Sequence, residues 1–478
     1  MKKSAVIAGT LVVAAAAYTG ASWYVGVQTE KTIRSAIDRT NARIVSTLGP
    51  DLDTQRVRID ITEYQRGVFS TEARYVLLLQ NGDERTELGI ADHMHHGPFP
   101  WALVKQGDFT PLLAFSRSQL IDTEALKRWF DAARGTMPLQ IDTRIGFGGE
   151  GESVWSFAPL EWAVEGDRLS FSGGHMNVRF GNEMRDNEAE GKFASLVMGD
   201  GEDGETVSLK DIVLRTRTVT QADETVQTTT TLDAASLMIA DMTDETVTVD
   251  KVRATLESTQ KGKLLDANLR YDFDQIRVGE IVMGSVTVGG QVASFDYEAF
   301  SALLSEYDAI VSAHDAEDGE DFEMSDEEAA RLMQRLVPVL ASSPRVAVQP
   351  VQWRNEKGES TLALTVAFQP VSKEAAAAVG DLPAQALREM RLEVVLSRAM
   401  FLQAFAQTGS DAEEKEQLEM LAGMLFDQYV DDLESDGIVR RDGDRAIVTI
   451  VYGDNTVDVN GEKMNLEEFL MLFADFLF

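Results

Sequence analysis

Thr71-Glu72-Ala73-Arg74-Tyr75-Val76-Leu77-Leu78-Leu79, closed by Asn81-Gly82-Asp83, is the stretch on which the fold turns. Thr71, Ala73, Tyr75, Leu77 and Leu79 recur with period two, the mark of a β-strand that keeps one face on a core. Asn81-Gly82-Asp83 then tolerates the positive φ of a tight hairpin turn. On the near side, Val57, Ile59 and Ile61 alternate in the same way, and Arg66-Gly67 turns that strand into the next. On the far side, Glu87 to His95 reads as a third strand that stops at Gly97-Pro98, because proline cannot donate to the ladder. The chain therefore opens as an antiparallel meander.

The same pattern fills the middle of the sequence. Strand-like runs are 139–147, 153–157, 168–172, 175–180, 193–198, 207–218, 225–232, 246–256, 264–273 and 281–288, separated by Gly- and Asp-rich turns. Along 209–214 both faces carry apolar residues. Long antiparallel strands without intervening helices point to a large curved sheet or a sandwich. Amphipathic helices are expected over 297–313 and 327–342, around an acidic block, 315–328, with nine carboxylates in fourteen residues. Strands resume at 345–353 and 360–369, with another at 392–396. Helices follow near 398–407 and 411–434, then a hairpin of 446–452 with 456–459. The fold class is mainly β with α (α+β).

Ahead of all this lies an uncharged run. Lys2 and Lys3 precede 24 residues without charge, Ser4 to Val27, rich in Ala and Val, with Trp23 and Tyr24 near the far end. About 20 residues suffice for a transmembrane helix, lysines stay inside, and aromatics favour the interface. A cleaved signal peptide ending at Ala15-Ala16-Ala17 is the rival. The run continues ten residues past Ala17 into a helix-like segment, 30–48, with Ile33, Ile37, Ile44 and Leu48 at helical spacing, which favours the anchor. The expected organisation is a cytoplasmic stub, 1–3; an inner-membrane anchor, 4–27; a juxtamembrane helix, 28–50; and a β-rich extracytoplasmic domain, 51–295. A helical segment, 296–343, and an α+β part, 344–478, complete it.

Charge and composition exclude several functions. With 79 Asp+Glu against 44 Lys+Arg, the net charge is −35, which repels a phosphate backbone and argues against nucleic acid. The absence of cysteine removes disulfides, thiol nucleophiles and Cys-type metal sites. G-x-S-x-G, H-E-x-x-H and Walker A patterns are missing from the sequence. Gly146, Gly148 and Gly151 spell G-x-G-x-x-G, but strand-like Ser153–Phe157 follows where a dinucleotide site requires a helix. No cofactor is expected. His93 and His95 are the candidate metal ligands, sharing a strand face about 7 Å apart, with His96 on the other side. A strand-end cluster of polar residues before Gly97-Pro98 is the simpler reading and the one preferred. The acidic stretches 200–205 and 315–328 lack EF-hand spacing and read as solvated loops. The apolar C-terminus, from Leu466 to Phe478, is too short to cross a bilayer and reads as a helix docked on the sheet, or else as a contact for a partner or lipid.

Several stretches match a known pattern: Trp23-Tyr24 with Gly26, Tyr64-Gln65-Arg66-Gly67-Val68-Phe69-Ser70, and His96-Gly97-Pro98-Phe99-Pro100. Further matches are Pro344 with Val346, Val348, Pro350, Trp353 and Gly358, then Val457-Asp458-Val459-Asn460-Gly461-Glu462-Lys463. In these the chain resembles the YdgA family of bacterial envelope proteins, a domain of unknown function. The resemblance implies an inner-membrane anchor and a periplasmic domain, and brings no catalytic or binding residues. The expected function is a membrane-tethered envelope module without enzymatic activity, either a scaffold or a β module handling lipid or another hydrophobic ligand. Its partners would be the inner membrane through residues 4–27 and a lipid or envelope protein. The alternative is a periplasmic enzyme of hydrolase type with a site assembled from scattered residues.

Overall fold

The computed structural model describes residues 17–31, 33–35, 37–38, 41, 55–81, 84–164, 167–182, 185–199, 204–240, 246–315, 324–371, 385–465 and 468–469. The chain is mainly β, antiparallel, with a few helices. It divides into two compact units: Met1–Glu202 with Asp211–Gln221, and Asp203–Lys210 with Ala222–Phe478. The division falls inside the stretch 51–295 that reads as one β-rich domain in the sequence.

The first unit begins with helix α1, residues 17–31. Strands β1 (Gln55–Arg66), β2 (Ser70–Asn81) and β3 (Glu84–His96) then form the expected meander, with Asn81 paired to Glu84 across the hairpin. Gly97 ends β3, and a side chain there would run into the Leu112 carbonyl. A short helix, α2 (Trp101–Val104), leads to β4 (Ala114–Leu120), a strand whose serines and arginine conceal it in the sequence. β4 pairs with β3 and with β5 (Leu139–Ile145), after a 3-10 turn and helix α3 (Lys127–Ala132). β6 (Gly151–Phe157) continues the sheet and is flanked by β9 (Gly174–Phe180), which pairs in turn with β10 (Asp186–Gly199). β7 (Leu160–Val164) and β8 (Asp167–Phe171) form a hairpin attached to β10. Because β6 is a strand starting at Gly151, the glycine motif is a β-turn, with Gly149 N–H donating to the Gly146 carbonyl at 3.1 Å.

Residues 4–16 of the expected membrane span lie outside the described residues. Its described part, 17–27, belongs to α1, where Ser22 and Val25 are buried against protein. No helix among the described residues is long and apolar enough to cross a membrane. The helix also runs through the expected boundary at residue 27 without a break.

Strand β11 (Thr206–Thr220) carries residues of both units. In the second unit, β12 (Val226–Ala240), β13 (Thr246–Lys261), β14 (Leu264–Val278) and β15 (Ile281–Asp296) pair successively. β16 (Arg345–Asn355), β17 (Gly358–Phe368) and β18 (Leu387–Ser397) extend the ladder to β20 (Arg445–Gly453). Helices α4 (Tyr297–Asp315) and α5 (Asp326–Leu340) interrupt it after β15, and Ser325 with Glu328 forms a capping box on α5. Helices α6 (Arg398–Ala406) and α7 (Ala412–Ser435) follow β18, and Asp427 of α7 binds Arg398 at 2.8 Å. Leu402, Ala422, Phe426, Val430 and Ala446 form a core beneath them. β19 (Arg440–Asp442), β21 (Thr456–Val459) and β22 (Glu462–Asn465) complete the chain's strands among the described residues, and Phe469 packs onto Ile450, Tyr452, Val457 and Val459.

Candidate functional site

One face of the first unit's sheet lies under α1. Alternation places two cross-strand rows on that face: Met94, Ser116, Thr143, Ser153 and Val178, and beside it Asp92, Ser118, Ile141, Trp155 and Met176. Buried polar groups require partners. The Thr143 and Ser153 hydroxyls satisfy each other at 2.5 Å. Asp92 accepts from Ser116 at 2.5 Å, Ser118 at 3.1 Å and Tyr75 at 3.3 Å. Burial holds its carboxyl above the usual carboxylate range, while these three donors pull it back.

α1 docks through residues spaced at i, i+4, which share one side of a helix. The Tyr18 hydroxyl donates to the Phe99 carbonyl at 2.7 Å, and the Ser22 hydroxyl to the Gly97 carbonyl at 2.6 Å. Gly26 sits on the His96 ring, where any Cβ would collide with it. His96 is held in turn: Nδ1 donates to the Val68 carbonyl at 3.0 Å, and Nε2 accepts from Thr71 at 2.8 Å. That assignment requires the neutral ring, and burial lowers its pKa accordingly. Further along the chain, Asn41 bonds both the amide and the carbonyl of Ile59 on β1.

Between α1 and the sheet a cleft of about 950 Å³ stays open. The helix contributes Ala21, Tyr24, Val25, Gln28 and Lys31, and the sheet contributes Ile145, Trp155, Val178 and Phe180 over the Thr143–Ser153 pair. Its size is that of a small-molecule pocket, and its wall is mostly hydrocarbon and aromatic. Trp155 Nε1 is buried and has no hydrogen-bond acceptor among the described residues. The cleft thus offers apolar volume with the Trp155 ring and a cationic residue, Lys31, on its lining.

His93 and His95 lie on the opposite face. Their rings are 4.6 Å apart between centroids, His93 Nδ1 is 3.7 Å from a Glu72 oxygen, and His95 stacks on Phe115. Burial, with the neighbouring His93 second, lowers the His95 pKa to about 4. Among the described residues no three His, Asp or Glu side chains converge as metal ligands would. The acidic residues 200–203 and 316–323 and most of the apolar C-terminus fall outside the described residues.

Sequence reasoning missed the cleft because its walls come from α1, β5, β6 and β9, brought together only by the pairing register. A signal did exist: Tyr18, Ser22 and Gly26 punctuate the apolar run at helical spacing, with Thr29 just beyond it, and small or hydroxylated residues mark close protein contact.

Comparison with known proteins agrees with the extent of the chain. A family model described as a bacterial protein of unknown function, DUF945, matches residues 1–467. Protein YdgA of Escherichia coli K12 is 25% identical over 504 residues, covering 99% of this chain and 97% of its own. The uncharacterized protein YihF of the same organism is 21% identical, with 98% of each chain covered. An uncharacterized Haemophilus influenzae protein is 22% identical over 171 residues, 36% of this chain and 46% of its own. No solved structure matches. Matched along nearly its whole length, the chain belongs to the DUF945 family of bacterial proteins.

Proposed function

We propose that this protein is a membrane-tethered envelope module, exported by its N-terminal segment, whose first unit shelters an apolar chain such as the acyl part of a lipid. The observation that carries the reading is the cleft: about 950 Å³, walled by Val25, Ile145, Trp155, Val178 and Phe180, beneath a helix built in part from the end of the uncharged run Ser4–Val27. An apolar ligand there gains roughly 25 cal/mol for each Å² removed from water. The two basic residues ahead of the run support an inside N-terminus and an outside domain.

The test is extraction of bound lipid from full-length protein, followed by mass spectrometry, beside the variants Ile145→Trp and Val178→Trp that fill the cleft. Lipid stoichiometric with the wild type and lost from both variants is expected. A wild type without bound lipid, or filled variants that retain it, sinks the reading.

A further inference from the structure

The loops of the first unit are unevenly built. β1, β3 and β5 end at Arg66, His96 and Ile145, and antiparallel pairing brings these termini to the same end of the sheet. The connections leaving that end, 67–69, 97–113 and 146–150, expose Val68, Phe69, Phe99, Trp101, Phe109 and Phe147. Phe109 is 66% exposed, Phe147 56% and Trp101 55%. In the connection 121–138 at the opposite end, Trp129 is the large apolar side chain exposed to this degree. Clustered exposed aromatics mark a contact surface and not a random scatter.

Two observations say what that surface meets. Tyr18, within the uncharged run Ser4–Val27, lies at this same end, with its hydroxyl on the Phe99 carbonyl and its ring 5.9 Å from Phe69. The end is also nearly neutral in a chain of net charge −35: its loops, with 181–185 between β9 and β10 included, carry Lys105, Asp108, Glu150, Glu183 and Arg185, and Asp108 is paired with Arg144 at 3.0 Å. Acidic surface is repelled by anionic lipid, whereas aromatic side chains settle at the headgroup level. The uncharged residues that precede Tyr18 lead straight into these loops, so a membrane that holds the former meets the latter.

We infer that this loop end is a bilayer-contact surface, seated among zwitterionic headgroups with Phe99, Trp101 and Phe109 as its anchors. Pro98, Phe147, Gly148 and Gly149 line the cleft, so its mouth opens beside the same loops and an acyl chain enters from the membrane without crossing water. The inference rests on the membrane-held reading above but does not depend on what fills the cleft.

The chain has no cysteine, so single replacements accept one label each. Full-length Trp101→Cys, Phe109→Cys and, as reference, Glu124→Cys carry an environment-sensitive fluorophore in phosphatidylcholine vesicles. None of the three positions lines the cleft. Emission at 101 and 109 is expected at shorter wavelength than at 124, with severalfold stronger quenching by spin-labelled lipid. Emission and quenching equal to those at 124, or a protein that does not float with the vesicles, overturns the inference. A wild type carrying no lipid while 101 and 109 are quenched defeats the carrier alone.

Discussion

Gly26→Ala should loosen α1 although alanine is the better helix former. The glycine lies on the His96 ring, which is 1% exposed and bound at both nitrogens. The new methyl group forces the ring aside. Overpacking costs about 1–3 kcal/mol, and each strained hydrogen bond about 1 kcal/mol. Helix propensity returns about 1 kcal/mol, leaving a net loss of roughly 2–4 kcal/mol. Gly20→Ala is the matched control, because a Cβ there meets nothing within 4 Å. It should gain up to about 1 kcal/mol from propensity alone. Amide exchange across residues 17–31 of the full-length protein reads the difference. A loss of 2 kcal/mol accelerates exchange about 30-fold, and the control should slow it. If the two variants exchange alike, α1 does not dock on His96 as described.

Other outcomes follow from the same geometry. Trp155→Phe keeps an aromatic wall and removes a buried N–H that has no acceptor among the described residues, so folding stability in a denaturant titration should stay within about 1 kcal/mol of the wild type; a marked loss would mean that the indole nitrogen is bonded. His95 has a depressed pKa in the folded state, so stability present above pH 6.5 should drain away as pH falls toward about 4, and His95→Phe should flatten that part of a melting-temperature profile. Asp92 works in the opposite sense: its raised pKa makes ionisation cost stability as pH climbs above 3.8. Asp92→Asn should therefore gain on the wild type with rising pH, and parallel profiles would refute the assignment.

Much of the β content was legible because each strand needed only its own neighbours. Val57, Ile59 and Ile61 alternate, and glycines or Asn-Gly pairs punctuate the runs. Strands failed to show where both faces are polar. β4 reads Ala-Phe-Ser-Arg-Ser-Gln-Leu, its serines facing Asp92 and its Arg117 paired with Asp142. The early part of β10 hides likewise behind Glu188, Glu190 and Lys192. The cleft was invisible for another reason, since Thr143 and Ser153 acquire meaning only opposite Tyr24 and Val25. His93 and His95 drew notice as a pair, yet the histidine that organises the helix is His96, whose role depends on Gly26, 70 residues earlier.

The docking of α1 bears on how the protein can be cut. Starting a soluble fragment at residue 28, just past the run that reads as membrane, would strip away Tyr18, Ser22, Val25 and Gly26 together. His96 would lose its cover, the Gly97 carbonyl its hydroxyl, and the cleft most of one wall. Such a fragment would present bare apolar sheet to water and be prone to clump, and its behaviour would say little about the parent. A start at Tyr18 discards the leading apolar residues while keeping every one of those contacts.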